Sequence, residues 1–231
     1  MKLVKKKGKL GINKLVVGSS VLAAVAFLTV VNIYGRRIDW PAYEVREVVD
    51  GDTFYTTEGL MIRLAALDAP ERSLCGGEEA AEALRKLIMG KKLYIRAVAK
   101  DRYERLLSYV YTDKELVNEK LLIEGLARYD SPGPLLEEEM KAAGDKAKKE
   151  NRGVFGEKCT QTINREKPEC VIKGNTSFNG GKIPMYRFPE CAQYKTTLVQ
   201  LYLGDRWFCS EEEARKAGFV KGSDCAEKKW R

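Results

Sequence analysis

Asp52, Arg63, Asp68, Glu71 and Arg105 are the residues of this chain whose types and spacing could do chemistry together. Two neighbouring aspartates hold a hard divalent cation through oxygen. Two arginines are permanently charged forks for phosphate oxygens. The chain has no histidine, so a third carboxylate, Glu71, is the candidate to activate water. Cation, arginine clamp and carboxylate base are together the parts a phosphodiester hydrolase needs. Each residue alone has a plainer reading. Asp68 lies just ahead of Pro70 and suits a turn, and Arg63 and Arg105 suit a solvated face. Asp52 is different. In "VVDGDTF" (48–54) an Asp-Gly pair between β-formers signals a hairpin, which needs only Asp50 and Gly51. Asp52 is the carboxylate in excess.

The elements that must position these residues read as a small barrel. Residues 43–49 and 53–57 are strand-like around the Asp-Gly turn, and Glu58-Gly59 turns into a third strand over 60–67. The stretch "EEAAEALRKLIM" (78–89) has apolar residues at helical spacing and meets Gly90 as a stop. Strands follow at 93–98 and 106–111, then helices at 117–126 and 135–150, the last with Glu early and Lys late. Five strands with a helix after the third predict a Greek-key barrel of the OB type over residues 43–156. Arg63 and Asp68 are five apart, so the third strand must bend or end between them if both are to reach one phosphate.

Charge is no guide to partners. The net +8 resides wholly in residues 1–37, and the remainder is formally neutral. Residues 15–33 are apolar and uncharged. At ~1.5 Å per residue they approach the ~30 Å hydrocarbon core, so a transmembrane signal-anchor is expected within a 1–40 segment. Six lysines precede it and two arginines follow, which puts the N-terminus in the cytoplasm and the rest outside. A secreted form after cleavage near Ala24-Val25-Ala26 is the alternative, but the apolar run continues past that point. All six cysteines, Cys75, Cys159, Cys170, Cys191, Cys209 and Cys225, follow that segment, as disulfides in an oxidising compartment would require. Pairing is open among fifteen schemes. Without histidine or a C-x-x-C pair, no zinc site is expected.

"VVDGDTF", "IRLAALDAPE", "GGEEA", "DRYERLLSYVY" and "VNEKLLIEGLARY", in this order, resemble the staphylococcal nuclease-like (thermonuclease) family over residues 43–156. The resemblance implies a mainly β fold with helices, a five-stranded OB-fold barrel, and calcium-dependent hydrolysis of DNA and/or RNA. It implies Asp52, Asp68 and the backbone carbonyl of Ala69 as Ca²⁺ ligands, and Glu71 acting on the attacking water. Arg63 and Arg105 would neutralise the phosphate, with Tyr103 beside the nucleotide and Asp101 in the same loop. Two residues depart from the family pattern. Ala69 stands where Thr is frequent, implying reduced support for the cation. Glu104 stands where Gly is usual; a positive φ there would cost ~1 kcal/mol, and its charge beside Arg105 would weaken phosphate binding.

Residues 157–231 read as a small α+β, Cys-containing module. "CTQTINREKPEC" (159–170) is polar, and a disulfide closing it would contribute ~3 kcal/mol on a loop-entropy argument. In "RWFCSEEEARKAGF" (206–219), Ser210 and Glu213 form a capping box, a helix spans 211–217, and Gly218 ends it. Trp207, Phe208 and Phe219 are the expected core. This stretch resembles a module found after nuclease domains of the family, but "MYRFPEC" (185–191) lacks that module's usual histidine, which argues against a metal there. Structural support is its expected role, and no protein partner is inferable. The rival to a membrane-anchored nuclease is a non-catalytic OB-type module that binds nucleic acid or protein. The carboxylate pair argues against it, since binding phosphate alone favours no added negative charge.

Overall fold

The structure is a computed structural model that describes residues 41–130, 135–176, 183–225 and 230. The expected membrane segment at 15–33 lies outside them; among the described residues no helix is long and apolar enough to cross a membrane. Ala42–Arg231 forms one compact unit.

Six strands build the main sheet: β1 (Ala42–Tyr43), β2 (Val45–Val48), β3 (Thr53–Thr56), β4 (Met61–Leu64), β6 (Leu93–Lys100) and β7 (Leu106–Tyr111). A short β5 (Leu67–Asp68) leaves the sheet and pairs with β8 (Arg128–Tyr129). The sheet order is β1-β6-β7-β4-β3-β2, mixed because β4 and β7 run parallel. β1 and β2 sit at opposite edges of that order yet are separated only by Glu44. The first strand expected from sequence is therefore broken in two, and it nearly closes the sheet by pairing with β6 at one end and β3 at the other. Ile62 and Leu64 are buried two apart, as strand alternation demands, whereas Val45 and Val48 are three apart and both buried because the register shifts between Val45 and Glu47.

Helix α1 (Gly77–Ile88) buries Ala80, Ala81, Leu84 and Ile88 on one face, the stripe its sequence advertised. Helix α2 (Val117–Ile123) is shorter than expected. Gly125, at φ 69°, takes a left-handed turn: its N–H bonds Leu122 O at 3.0 Å and the Leu126 N–H bonds Leu121 O at 3.0 Å. This pair of bonds is a Schellman stop. A side chain at Gly125 would also meet Arg152 O at 2.3 Å, so only glycine fits. Helix α3 (Glu137–Lys149) packs Met140, Ala143 and Ala147 into the same interior.

The C-terminal region forms a second sheet from β10 (Ile172–Asn175), β11 (Met185–Arg187), β13 (Arg206–Phe208) and β14 (Val220–Lys221), in the order β13-β10-β11-β14. Beside it β9 (Thr160–Gln161) pairs with β12 (Val199–Gln200). Helix α4 (Glu211–Lys216) begins at Ser210, whose Oγ accepts the Glu213 N–H at 3.1 Å. The Glu213 carboxylate reaches back one residue further than a capping box requires and accepts the Cys209 N–H at 2.8 Å. Two sequence expectations are overturned here. Cys159 does not close on Cys170: the disulfides are Cys75–Cys159, Cys170–Cys209 and Cys191–Cys225. The short helical turn Gly153–Phe155 lays Val154 on Gly76, and that contact delivers Cys159 to Cys75. Trp207 is not in the core with Phe208 and Phe219, because neighbouring strand residues face opposite ways. Its indole N–H donates instead to Gln161 Oε1 at 2.7 Å, and Tyr186, Phe188 and Ile172 fill the core.

Candidate functional site

The Val48-to-Thr53 connection places Asp52. Asp50 Oδ1 accepts the Asp52 N–H at 3.0 Å, so Asp50 serves the turn as its sequence suggested. Gly51 is not held in a positive-φ turn. Its requirement is contact: an added Cβ would stand 2.6 Å from Ala80 Cβ on α1 and 2.7 Å from Ala69 Cβ. The turn is thus pressed between the helix and the segment carrying Asp68.

Arg63 projects from β4, whose Arg63 pairs in register with Thr53. The strand then stops. Ala66 adopts φ 64°, the chain reverses its facing, and β5 presents Asp68 toward the same point. Arg63 Nη1 donates to Asp52 Oδ1 and Nη2 donates to Asp68 Oδ1 at 2.7 Å. One guanidinium therefore joins the two carboxylates, with one nitrogen for each. Asp52 Oδ1 also accepts the Thr53 hydroxyl at 2.8 Å, and Oδ2 accepts the Ala69 N–H at 3.0 Å.

Asp52 is 1% exposed. Burial pushes its carboxyl up from 3.8 to about 7, with Asp50 adding to the effect, while Arg63, the Ala69 N–H and Thr53 pull the other way without prevailing. Burial also works against the charge of Arg63, but Asp52 and Asp68 outweigh it and hold the guanidinium more firmly charged. The deficit of positive charge falls on Asp52.

Two residues that sequence reasoning passed over complete this cluster. Arg128, brought by the β5–β8 ladder, donates to Asp68 Oδ2 through Nη2 at 2.9 Å and Nε at 3.2 Å, and to Asp130 Oδ1 at 3.3 Å. Asn118 on α2 is fully buried; its amide bonds Ala65 O at 2.9 Å and Ser108 O at 3.0 Å and accepts the Val110 N–H at 2.9 Å. It clamps the backbone where β4 gives way to β5. "GLARY" contained Arg128, but a two-residue ladder has no periodic signature in sequence.

Glu71 is exposed, and its carboxylate bonds no described residue. With Asp68, Arg128 and Tyr202 it lines a cleft of about 150 Å³. Gly77 packs against the backbone of Glu71, where a Cβ would lie 2.0 Å from Glu71 O, so the start of α1 fixes this loop.

Asp101, Tyr103 and Arg105 make a separate cluster at the β6–β7 turn. Asp101 accepts Arg105 Nε at 2.7 Å, the Tyr103 N–H at 2.8 Å and the Arg105 N–H at 3.0 Å. Burial would raise the Asp101 carboxyl, but these donors overcome it and hold it below its usual value. Among the described residues, none bonds the terminal nitrogens of Arg105, and none links this cluster to Asp52 or Asp68. Tyr103 is 61% exposed, with the Arg102 and Arg105 guanidiniums 4.8 and 5.4 Å from its ring centre. Glu104 does take positive φ, at 64°, but its carboxylate is held by Lys100 at 2.5 Å. The charge beside Arg105 is therefore paired.

Among the described residues no group of three or more Cys, Asp or Glu forms a ready cation cage. The donor chemistry nonetheless fits one hard cation. Asp52 and Asp68 converge on the one guanidinium of Arg63, and all the donors they offer are oxygen.

A model of the family described as "Staphylococcal nuclease homologue" matches residues 61–157. A Haemophilus influenzae protein described as an uncharacterized endonuclease is 36% identical over 87 residues, covering 36% of this chain and 49% of that protein. The SPbeta prophage-derived endonuclease YokF of Bacillus subtilis is 31% identical over 150 residues, 56% of this chain and 51% of its own length. The chain thus spans about half the length of these two relatives. It spans more of the thermonuclease of Staphylococcus hyicus, at 31% identity over 126 residues, 49% of this chain and 75% of that enzyme. On that coverage the chain belongs to the family of staphylococcal nuclease homologues.

Proposed function

We propose that this protein is a nuclease that hydrolyses phosphodiester bonds of DNA and/or RNA with one Ca²⁺ held by Asp52 and Asp68. The observation that carries this reading is Arg63 bridging both carboxylates, so that cation ligands and phosphate clamp share one point. The bound cation would polarise a phosphate oxygen and supply positive charge as the transition state gains negative charge. Arg63 holds the phosphate against the site with its remaining donor capacity. Arg105, with unengaged terminal nitrogens, neutralises a second phosphate oxygen, and Asp101 orients it. Glu71, exposed at the cleft, takes the proton of the attacking water. The Ala69 N–H fixes Asp52, and the Ala69 carbonyl is assigned as a further cation ligand on family resemblance. Tyr103 offers its face to the nucleotide.

The basic, apolar N-terminal segment supports a membrane anchor with its N-terminus in the cytoplasm and the barrel outside, and three disulfides favour an oxidising compartment. Nuclease activity of the full chain on single-stranded DNA and RNA, with Ca²⁺ and with a chelator, tests the enzymatic reading. Cleavage in Ca²⁺ that the chelator stops is expected. A folded preparation that cleaves neither substrate under either condition would leave a nucleic-acid-binding barrel without catalysis.

A further inference from the structure

The C-terminal region does more than sit beside the barrel. The cleft of about 150 Å³ at Glu71 has Asp68, Glu71, Leu74 and Arg128 on its barrel side and Tyr202 and Leu203 on the other. Tyr202 and Leu203 belong to a short helical turn, Leu201–Leu203, whose position is set from several directions. Leu201 N–H bonds Cys159 O at 2.8 Å, and Cys159 is disulfide-bonded to Cys75, four residues from Glu71. Asp205 is buried and gathers the segment by accepting from Gln200 N–H at 2.9 Å, Thr176 N–H at 2.8 Å and Asn175 Nδ2 at 2.8 Å. The ring of Tyr202 meets Phe155 edge-on at 5.9 Å.

Tyr202 is 5% exposed, and its hydroxyl lies 2.6 Å from Gln200 Nε2, which donates to the phenol oxygen. A phenol accepts and donates at once, so its proton stays available to an acceptor in the cleft. The partner's chemistry follows from the walls. The volume is below the ~300 Å³ at which pockets for whole small molecules begin, so the space takes one compact group. Tyr202 and Arg128 line the same small space, and a phenol donor beside a guanidinium favours an anion with several acceptor oxygens. Of the two carboxylates lining the cleft, Asp68 is already held by Arg63 and Arg128, and Glu71 is exposed to solvent, which screens its charge.

We propose that the C-terminal module forms one wall of the substrate cleft, where Tyr202 donates to a phosphate of the bound nucleic-acid strand and Arg128 faces the same phosphate. This deepens the nuclease reading and rests on it for the identity of the strand. The region after the barrel is then a substrate-contacting part of the site, beyond the structural support its sequence suggested.

The test is titration of a fluorescent eight-nucleotide phosphorothioate DNA, which resists hydrolysis, with the full chain in Ca²⁺. Tyr202→Phe removes one oxygen and keeps the ring, and a lost hydrogen bond to a charged group corresponds to about tenfold weaker binding. Leu203→Glu sets a carboxylate on the same wall and is expected to weaken binding at least as much. Either variant binding within twofold of the unsubstituted chain overturns the assigned contact at that residue, and both doing so overturn the wall. No binding by the unsubstituted chain also overturns it. Cleavage of ordinary DNA is followed in parallel. Binding that depends on Tyr202 without any cleavage would sink the nuclease reading and leave this wall standing.

Discussion

Arg63 Nη2 lies 2.7 Å from Asp68 Oδ1, although the residues stand five apart and would face away from each other on an unbroken strand. The contact exists because β4 ends at Leu64 and Ala66 takes a left-handed conformation before β5. Such a conformation costs a non-glycine residue of order 1 kcal/mol. Asn118 offsets that cost by holding Ala65 O and Ser108 O from the α2 side. Local strain and a buried amide clamp are thus parts of one device that brings a phosphate clamp to its cation ligands.

Asp52→Asn tests the cation site. The amide is nearly isosteric, so the barrel should fold, as far-UV circular dichroism will show. Ca²⁺-dependent cleavage should fall by at least a hundredfold, since a neutral oxygen replaces the buried anion that holds a hard ion. Retained activity with an unchanged Ca²⁺ requirement would remove Asp52 from the ligand set.

Glu71→Gln separates chemistry from binding. General-base catalysis is worth ~10²–10⁴-fold, so kcat should drop by several orders of magnitude while oligonucleotide affinity is kept. A drop below tenfold would take Glu71 out of the mechanism.

Asn118→Ala should destabilise the barrel by about 3 kcal/mol, because three backbone groups lose a buried partner. Urea denaturation measures it. The loosened turn should lower kcat as well, at temperatures where the variant remains folded.

The Cys75–Cys159 bond closes a loop of sequence separation 84. Chain-entropy arguments put such a closure at about 4–5 kcal/mol. Replacing both cysteines with serine should lower the melting temperature and reduce cleavage, because Glu71 loses the tether of its loop. Reductant should lower the melting temperature of the unsubstituted chain by at least as much and leave the double variant's tether-dependent loss unchanged.

Acid should loosen the C-terminal module. Burial would raise the Asp224 carboxyl, but the Gln193 N–H and Arg187 outweigh it and hold it below 3.8. Glu211 is likewise held below 4.5 by Tyr186, the Trp230 N–H, Lys221 and Arg215, against the effect of burial. A depressed folded value gives stability that is present above the unfolded value and lost as pH falls through the folded one. The loss should therefore set in below about pH 4.5. The fluorescence of Trp207 and Trp230 should report it, and an unchanged signal down to pH 3 would contradict it.

Much of the barrel was legible because periodicity and stop signals carry their own physics. The α1 stripe, the Gly90 stop and the role of Asp50 in the hairpin follow from residue type and spacing. The convergence of Asp52, Arg63 and Asp68 was legible only as a set of residue types, since the left-handed Ala66 that unites them has no residue-type signal. Arg128 was missed because its place depends on pairing between Asp68 and a residue 60 positions later. Trp207 was misplaced for a different reason: aromatic content suggested core, whereas strand alternation already put it opposite Phe208. Gly125 marked the end of α2 in the sequence, but the apolar run through Leu126 obscured it.

The bond between Cys75 and Cys159 makes the redox state of the surroundings a variable of the site itself. It leaves the interior of the barrel untouched and fastens the one loop that presents Glu71 to the region that presents Tyr202. A newly made chain with reduced thiols would have its carboxylates and arginines in place and its cleft unbraced. Oxidation would then be the last step of assembly, and the compartment that permits it would decide where the cleft takes its final shape.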